Sequence, residues 1–387
     1  MLRTIVPSVA LSILFPLFML ESRAHDPVDR PAPKDDRPLV QIALLLDTSN
    51  SMDGLINQAR TQLWAIVNEL SHCRRGGRIP RLQVALYEYG NNRLSPQDGW
   101  IRLVLPFTDD LDRVSEKLWS LRTCGGDEYC AQVIGRAVAD LDWDTRPAVF
   151  RAIFIAGNEP FTQGPVDYHR TCKRAIDRGI VVNTIHCGGR ADGICGSWED
   201  GARIAEGKFF NIDQDRAHCA IAAPQDDELR RLSSTLNETY VPFGADGPGG
   251  GKRQREQDTV AATEPEVGAD VQRAVAKASS NYQNAGWDLV DAVANGTVDL
   301  EKLTDKDLPA IMRDMSGEGR RAYVAKQSAE RGEIQKKIND LNAQREKFVA
   351  AKQREQNPAA ADTLDTAVIQ AIRDEAKAAG FDVTEGK

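Results

Sequence analysis

Asp47, Ser49 and Ser51 stand at every second position of Asp-Thr-Ser-Asn-Ser, directly after the apolar run Val40–Leu46. A carboxylate and two hydroxyls so spaced on a loop can converge on one small, hard cation. Oxygen donors suit Mg2+, Mn2+ or Ca2+ better than copper or structural zinc. The competing reading is structural: Asp and Ser also cap helices, and one begins near Gly54. Two further segments offer polar side chains, "GGDEYC" with Asp127 and Glu128, and "AGNEP" with Asn158 and Glu159.

The elements that must position these residues follow from period and breakers. Val40 to Asp47 reads as a strand buried on both faces, and Gly54 to His72 as a helix, with Leu55, Ala59, Leu63, Ile66 and Leu70 at helical spacing. "RLQVALYEYG" and "WIRLVLPF" read as a hairpin across "NNRLSPQDG". Two helices, "DDLDRVSEKLWSLR" and "AQVIGRAVADLD", then precede the strand "AVFRAIFIAG". Helix "PVDYHRTCKRAIDRG", strand "IVVNTIHCG", helix "SWEDGARIAEG", strand "KFFNI" and helix "DDELRRLSSTLNETY" complete the alternation. Strands alternating with helices over residues 38–243 predict an α/β unit: a doubly wound, mostly parallel sheet with one antiparallel edge strand. In such sheets, loops at the carboxyl ends of strands carry ligand sites, which is where Asp47 falls.

With that topology, "DTSNSM", "GGDEYC" and "IAGNEP" together resemble the three loops of the von Willebrand factor A domain. The resemblance implies a metal-ion-dependent adhesion site in which a partner's Asp or Glu carboxylate fills an open position on a divalent cation. Carried over by position, it implies Asp47, Ser49, Ser51, Asp127 and Asn158 as ligands. The first loop matches without change. In the second, Asp127 stands where Thr is common, and in the third the expected acidic residue is replaced within Ala156-Gly157-Asn158. Two carboxylates remain if Asp127 substitutes for the missing one, with Glu128 or Glu159 in reserve.

Beyond residue 243 the pattern changes. "GADGPGGGKRQREQD" is rich in Gly and charge and reads as a flexible linker over 244–262. Residues 263–387 form an α-helical C-terminal region, with helical segments around Val271–Val293, Arg320–Arg354 and Thr363–Ala379. Between about 320 and 356, Val324, Ile334, Ile338, Leu341 and Phe348 step by threes and fours, but Gln327, Arg331 and Arg345 occupy other positions of the same seam. A modest coiled coil or helical hairpin is expected there, with self-association through this tail as one outcome.

The ends and the composition bound the function. Arg3, the apolar run Ile5–Leu20 and the closing Ser22-Arg23-Ala24 read as a signal peptide over residues 1–24, followed by an N-terminal linker over 25–37. A periplasmic or secreted protein is expected, with no membrane span after signal removal. All seven cysteines lie between Cys73 and Cys219, and export permits a disulfide near the site loops, with buried thiols as the alternative. A zinc group built from His186, Cys187, Cys195, His218 and Cys219 lacks any C-x-x-C spacing. The net charge of −8, and the interleaving of Lys and Arg with Glu and Asp after Arg320, point away from nucleic acid. No nucleophile elbow, zinc-protease helix or P-loop occurs. The leading expectation is therefore a metal-dependent, non-enzymatic protein-binding module. The alternatives are a metal-assisted hydrolase using Glu128 or Glu159 as base, and a scaffold with a vestigial site.

Overall fold

A computed structural model describes residues 37–50, 52–212, 221–263, 268–356 and 364–383. The signal peptide and nearly all of the N-terminal linker lie outside these residues, as do Ser51, His218 and Cys219.

The α/β part runs β1 (Leu39–Asp47), α1 (Asp53–Ser71), β2 (Cys73–Arg74), β3 (Arg81–Tyr89), β4 (Ile101–Thr108), α2 (Leu111–Ser120), α3 (Cys130–Asp140), β5 (Phe150–Gly157), α4 (Tyr168–Asp177), β6 (Val181–Cys187), α5 (Arg190–Cys195), α6 (Trp198–Ile204), β7 (Phe209–Ile212) and α7 (Asp226–Asn237). Six strands form one sheet in the order β4-β3-β1-β5-β6-β7. Only the β3–β4 hairpin is antiparallel; the other pairings are parallel. This is the doubly wound sheet with one antiparallel edge that the alternation predicts.

β1 shows why the strand is apolar at all but one position before Asp47. Val40, Ile42, Leu44 and Leu46 enter the core on one face with Leu63, Val67 and Leu70 of α1. Ala43 and Leu45 enter the other core with Val133, Ala137 and Cys172 of α3 and α4. On a strand covered on both sides the one polar residue before Asp47, Gln41, is buried as well, and its Nε2 donates to Gln83 Oε1 at 2.9 Å and to the Asp142 carbonyl at 3.3 Å. Each large aliphatic side chain so buried contributes about 1.5–3 kcal/mol.

The rest of the chain is α8 (Gly247–Ala261), α9 (Ala269–Lys277), α10 (Leu289–Ala294), α11 (Ala310–Arg313), α12 (Gly317–Gln356), α13 (Leu364–Ala378) and β8 (Asp382–Val383). Of these, α9, α12 and α13 pack on the α1 face, where Val271, Ile334, Ile338, Ile372 and Phe381 share the core that contains Leu44 and Leu70, while Leu289, Val290, Met312 and Val324 of α10, α11 and the start of α12 form a separate core. β8 pairs antiparallel with β2.

Three expectations are corrected here. The stretch read as a flexible linker is α8, with Gly247, Gly250, Gly251, Gln254 and Gln257 buried. Its glycines are there for close approach, because a Cβ at Gly250 would collide with the Trp287 ring. Its charge is used as well, since Asp258 pairs with the buried Arg273 at 2.6 Å and Lys277 at 2.8 Å. The helical segment expected around Val271–Val293 is two helices, α9 and α10, and in the stretch between them Trp287 packs on Tyr240. The heptad seam of α12 is occupied within the chain: Val324, Gln327, Arg331, Ile334, Ile338 and Arg345 are all buried. Arg331 bonds Asp288 at 2.8 Å and Asp291 at 2.7 Å, and Arg345 bonds Asp226 at 2.7 Å. The polar seam positions are thus the cationic halves of intramolecular ion pairs.

Candidate metal centre

β1 ends at Asp47, and its neighbours β3 and β5 end at Tyr89 and Gly157. Parallel register brings these three ends together, with Asp47 opposite Tyr89 and Leu46 opposite Ala156. The first loop is pinned to its neighbours through Thr48. Its N–H donates to the Tyr89 carbonyl at 2.8 Å, and its own carbonyl accepts from Cys124 N–H at 2.9 Å. The second loop is tied to the start of α1 by the Thr123 hydroxyl, which donates to Asp53 at 2.6 Å.

Asp47 is fully buried, and its Oδ1 accepts the Ser49 N–H at 2.7 Å. The acidic residue placed against it is Glu128, itself 5% exposed. The two carboxyl groups share a hydrogen bond when one keeps its proton, and the Ser49 hydroxyl reaches both. With both ionised, Asp47 Oδ2 and Glu128 Oε2 have no donor among the described residues. Burial is the first cause that pushes both carboxyls above the usual range; for Glu128 the facing Asp47 charge adds to it, and Glu159 raises both.

Two glycines keep this space open. A Cβ at Gly90, whose φ of +77° already favours glycine, would lie 2.7 Å from both Asp47 Oδ1 and Glu128 Cγ. A Cβ at Gly157 would lie 3.2 Å from Asp47 Oδ2 and collide with the Tyr89 hydroxyl. Two buried carboxylates in a cradle that a single methyl group would fill, without a cationic side chain bonded to either among the described residues, match the donor chemistry of a hard divalent cation.

Of the residues named from the sequence, the structure brings Asp47 and Ser49 together, while Ser51 is outside the described residues. Asp127 is exposed and accepts from its neighbour Tyr129 at 3.4 Å. It is Glu128, not Asp127, that meets Asp47. The extended loop alternates, with 127 outward and 128 and 130 inward, and that alternation is the signal that selects Glu128. Asn158 follows Gly157 on the third loop, and its backbone carbonyl faces His186 Nε2 at 3.2 Å. Glu159, held in reserve, is half-buried, and its carbonyl accepts from Trp198 Nε1 at 2.9 Å.

The six described cysteines are free thiols, so no disulfide frames the loops among the described residues. Cys73, Cys130, Cys172 and Cys187 are buried. Burial raises all four, Cys73 to about 11 and Cys172 to about 12, so they pack as small protonated hydrophobes. His186 is occupied by Asn211 at 3.2 Å and the Asn158 carbonyl. No group of three His, Cys, Asp or Glu side chains among the described residues is arranged around one metal position. No described helix is long and apolar enough to cross a membrane.

No protein-family model matches the chain, and no curated protein matches its sequence. Solved structures with a similar arrangement include the conserved hypothetical protein BatB from Bacteroides thetaiotaomicron, at 18% identity over 45% of this chain and 90% of that one, TM-score 0.34. The SpRpn10 VWA domain is 15% identical over 45% of this chain and 88% of its own, TM-score 0.35. Proximal thread matrix protein 1 from the mussel byssus, with a zinc-occupied MIDAS motif, is 12% identical over 46% and 43%, TM-score 0.34. These likenesses concern the fold of somewhat under half the chain.

Proposed function

We propose that this chain is an exported binding protein whose strand-end site holds a divalent cation and, through it, a carboxylate of a protein partner. The observation that carries the reading is the buried Asp47–Glu128 pair, in which Asp47 Oδ2 and Glu128 Oε2 have no donor among the described residues when both are ionised. Asp47 and Ser49 would hold the ion from the first loop together with Ser51, and Glu128 takes the place expected of Asp127. Asn158 stands next to the site on the third loop. When bound, the ion supplies a fixed positive charge with room for one further oxygen ligand.

The chain's own residues do the rest. Gly90 and Gly157 keep the cradle open, Ser49 orients the two carboxyls, and burial makes their ionisation depend on a compensating charge. At neutral pH a shared proton serves that purpose until a cation replaces it.

Calorimetric titration with Mn2+, Mg2+ and Ca2+ tests the site. One site is expected, lost in Asp47→Ala and in Glu128→Gln, and a flat titration of the unaltered chain would sink the reading. Pull-down from envelope extract with and without chelator then tests the partner. The raised carboxyl of Glu128 is also what a general base needs. Metal-dependent turnover in a hydrolase panel, abolished in Glu128→Gln, would favour the hydrolase over the binding module.

A further inference from the structure

The buried carboxylate pair is bordered by a surface that cation binding leaves unused. Asp127 and Tyr129 are the chain neighbours of Glu128; Asp127 is exposed and Tyr129 half-buried. The Tyr129 hydroxyl donates to Asp127 Oδ2 at 3.4 Å, so the polar end of the ring and the carboxylate share one edge of the site. Trp100, also half-buried, meets the Tyr129 ring edge to face with centroids 5.4 Å apart. Among the described residues the Tyr129 hydroxyl is the partner of the Asp127 side chain, and no cation is bonded to it.

The aromatic pair is fixed to the cradle through the backbone. The Trp100 carbonyl accepts the Gly90 N–H at 3.1 Å, and Gly90 is the residue whose Cβ would run into Asp47 and Glu128. Trp100 itself has φ +53°, a value that a bulky side chain rarely adopts. Its N–H donates to the Ser95 carbonyl at 3.0 Å and closes the turn that keeps it there. Backbone strain of this kind concentrates where a side chain must be held in one place. Tyr129 is held from another side by Gly164, where a Cβ would lie 2.6 Å from the ring. The surrounding charge is negative as well: Glu159 on the third loop is close enough to raise both buried carboxyls. On the second loop, Arg122 is turned onto the carbonyls of Trp119 and Leu121.

We propose that Asp127, Tyr129 and Trp100 form a second subsite, which seats a lysine or arginine of the protein partner beside the residue whose carboxylate reaches the cation. An exposed carboxylate against two aromatic rings offers an ion pair and a ring quadrupole to one positive group, and guanidinium uses both best. A second acidic side chain would instead meet Asp127 and Glu159, so the same surface rejects a purely acidic partner. Asp127 and Glu128 are adjacent in the chain, which puts the two partner groups within about two residues of each other on an extended segment, a reach of about 7 Å. The subsite rests on the cation reading above, because the partner's carboxylate is what brings the base to it.

Three peptides test it, Gly-Glu-Gly-Arg-Gly, Gly-Glu-Gly-Gln-Gly and Gly-Gln-Gly-Arg-Gly, each amidated at one end and carrying a neutral fluorophore at the other. They are titrated by anisotropy with the full chain in Mn2+ and again in chelator, with Mn2+ calorimetry in parallel to report the cation site. The Glu–Arg peptide is expected to bind about fivefold or more tightly than the Glu–Gln peptide. The Gln–Arg peptide, and all three in chelator, are expected to show no saturable binding. Asp127→Asn and Trp100→Gly are each expected to cut the Arg advantage to less than twofold. Glycine is at ease at the φ of Trp100, and if that variant nevertheless fails to fold, Asp127→Asn carries the comparison. Mn2+ heat without peptide binding, equal affinity for the Glu–Arg and Glu–Gln peptides, or an Arg advantage that survives Asp127→Asn would overturn the subsite and leave the cation site standing. Absence of Mn2+ heat in the unaltered chain would sink the cation reading, and the subsite with it.

Discussion

Asp47 and Glu128 face each other with no cationic side chain bonded to either among the described residues, and their chemistry is dominated by that fact. Both carboxyls are held above their ordinary range, so the folded protein binds a proton there that the unfolded chain releases near pH 4. For a carboxyl shifted upward, the associated stability is complete below the unfolded pKa and is lost as pH rises through the folded one. A cation reverses the trend, because it competes with the proton. Apparent Mn2+ affinity is accordingly expected to rise between pH 5 and 8, with protons released on binding, as calorimetry in buffers of different ionisation heat would measure. Asp127→Asn is expected to change Mn2+ affinity by no more than about threefold, because an exposed side chain gives little. Glu128→Gln should weaken it by about tenfold or more. The reverse ranking would restore the sequence-based ligand set.

At the scale of single elements, α8 gives a test whose sign separates two readings. Ala is better than Gly in a helix by about 1 kcal/mol, so Gly250→Ala in a loosely held segment would be neutral or stabilising. Against the Trp287 ring, the same methyl is expected to destabilise by about 1–3 kcal/mol in denaturant melts. α13 provides a second test. Glu375 accepts Asn183 Nδ2 at 3.0 Å, and burial raises its carboxyl from 4.5 to about 7, with Asn183 and Lys208 partly opposing the shift. Its contribution is full below pH 4.5 and is lost as pH rises to about 7. Glu375→Gln keeps an acceptor for Asn183 and cannot ionise. It is expected to stabilise the protein on the order of 2–3 kcal/mol at pH 8 and negligibly at pH 4, by urea melts at both values.

Over the whole molecule, α9, the middle of α12 and α13 share one apolar core with the α1 face of the sheet, while α10, α11 and the start of α12 pack round a smaller core of their own. The seam of α12 faces α7, α9 and α10 of its own chain, so the surface that would have joined two copies is used internally. Sedimentation of the purified chain is expected to give a monomer. Arg331→Ala would leave Asp288 and Asp291 buried without their cation and remove the stacking on Tyr240, 4.0 Å from the guanidinium. A loss of about 3–5 kcal/mol is expected in equilibrium unfolding. A dissociating oligomer in sedimentation would contradict this packing.

The sequence by itself determined the α/β alternation, the buried strand that delivers Asp47 to a loop, and the helical character of the C-terminal region. Hydrophobic period and turn chemistry are local properties, legible over ten or so residues. Only the tertiary structure decided that Glu128 rather than Asp127 meets Asp47, that Cys73, Cys130, Cys172 and Cys187 pack as buried thiols, and that Arg331 and Arg345 are buried cations rather than a solvated face. In each case the partner lies tens to hundreds of residues away, and composition cannot tell a glycine that frees the chain from one that lets Trp287 come close.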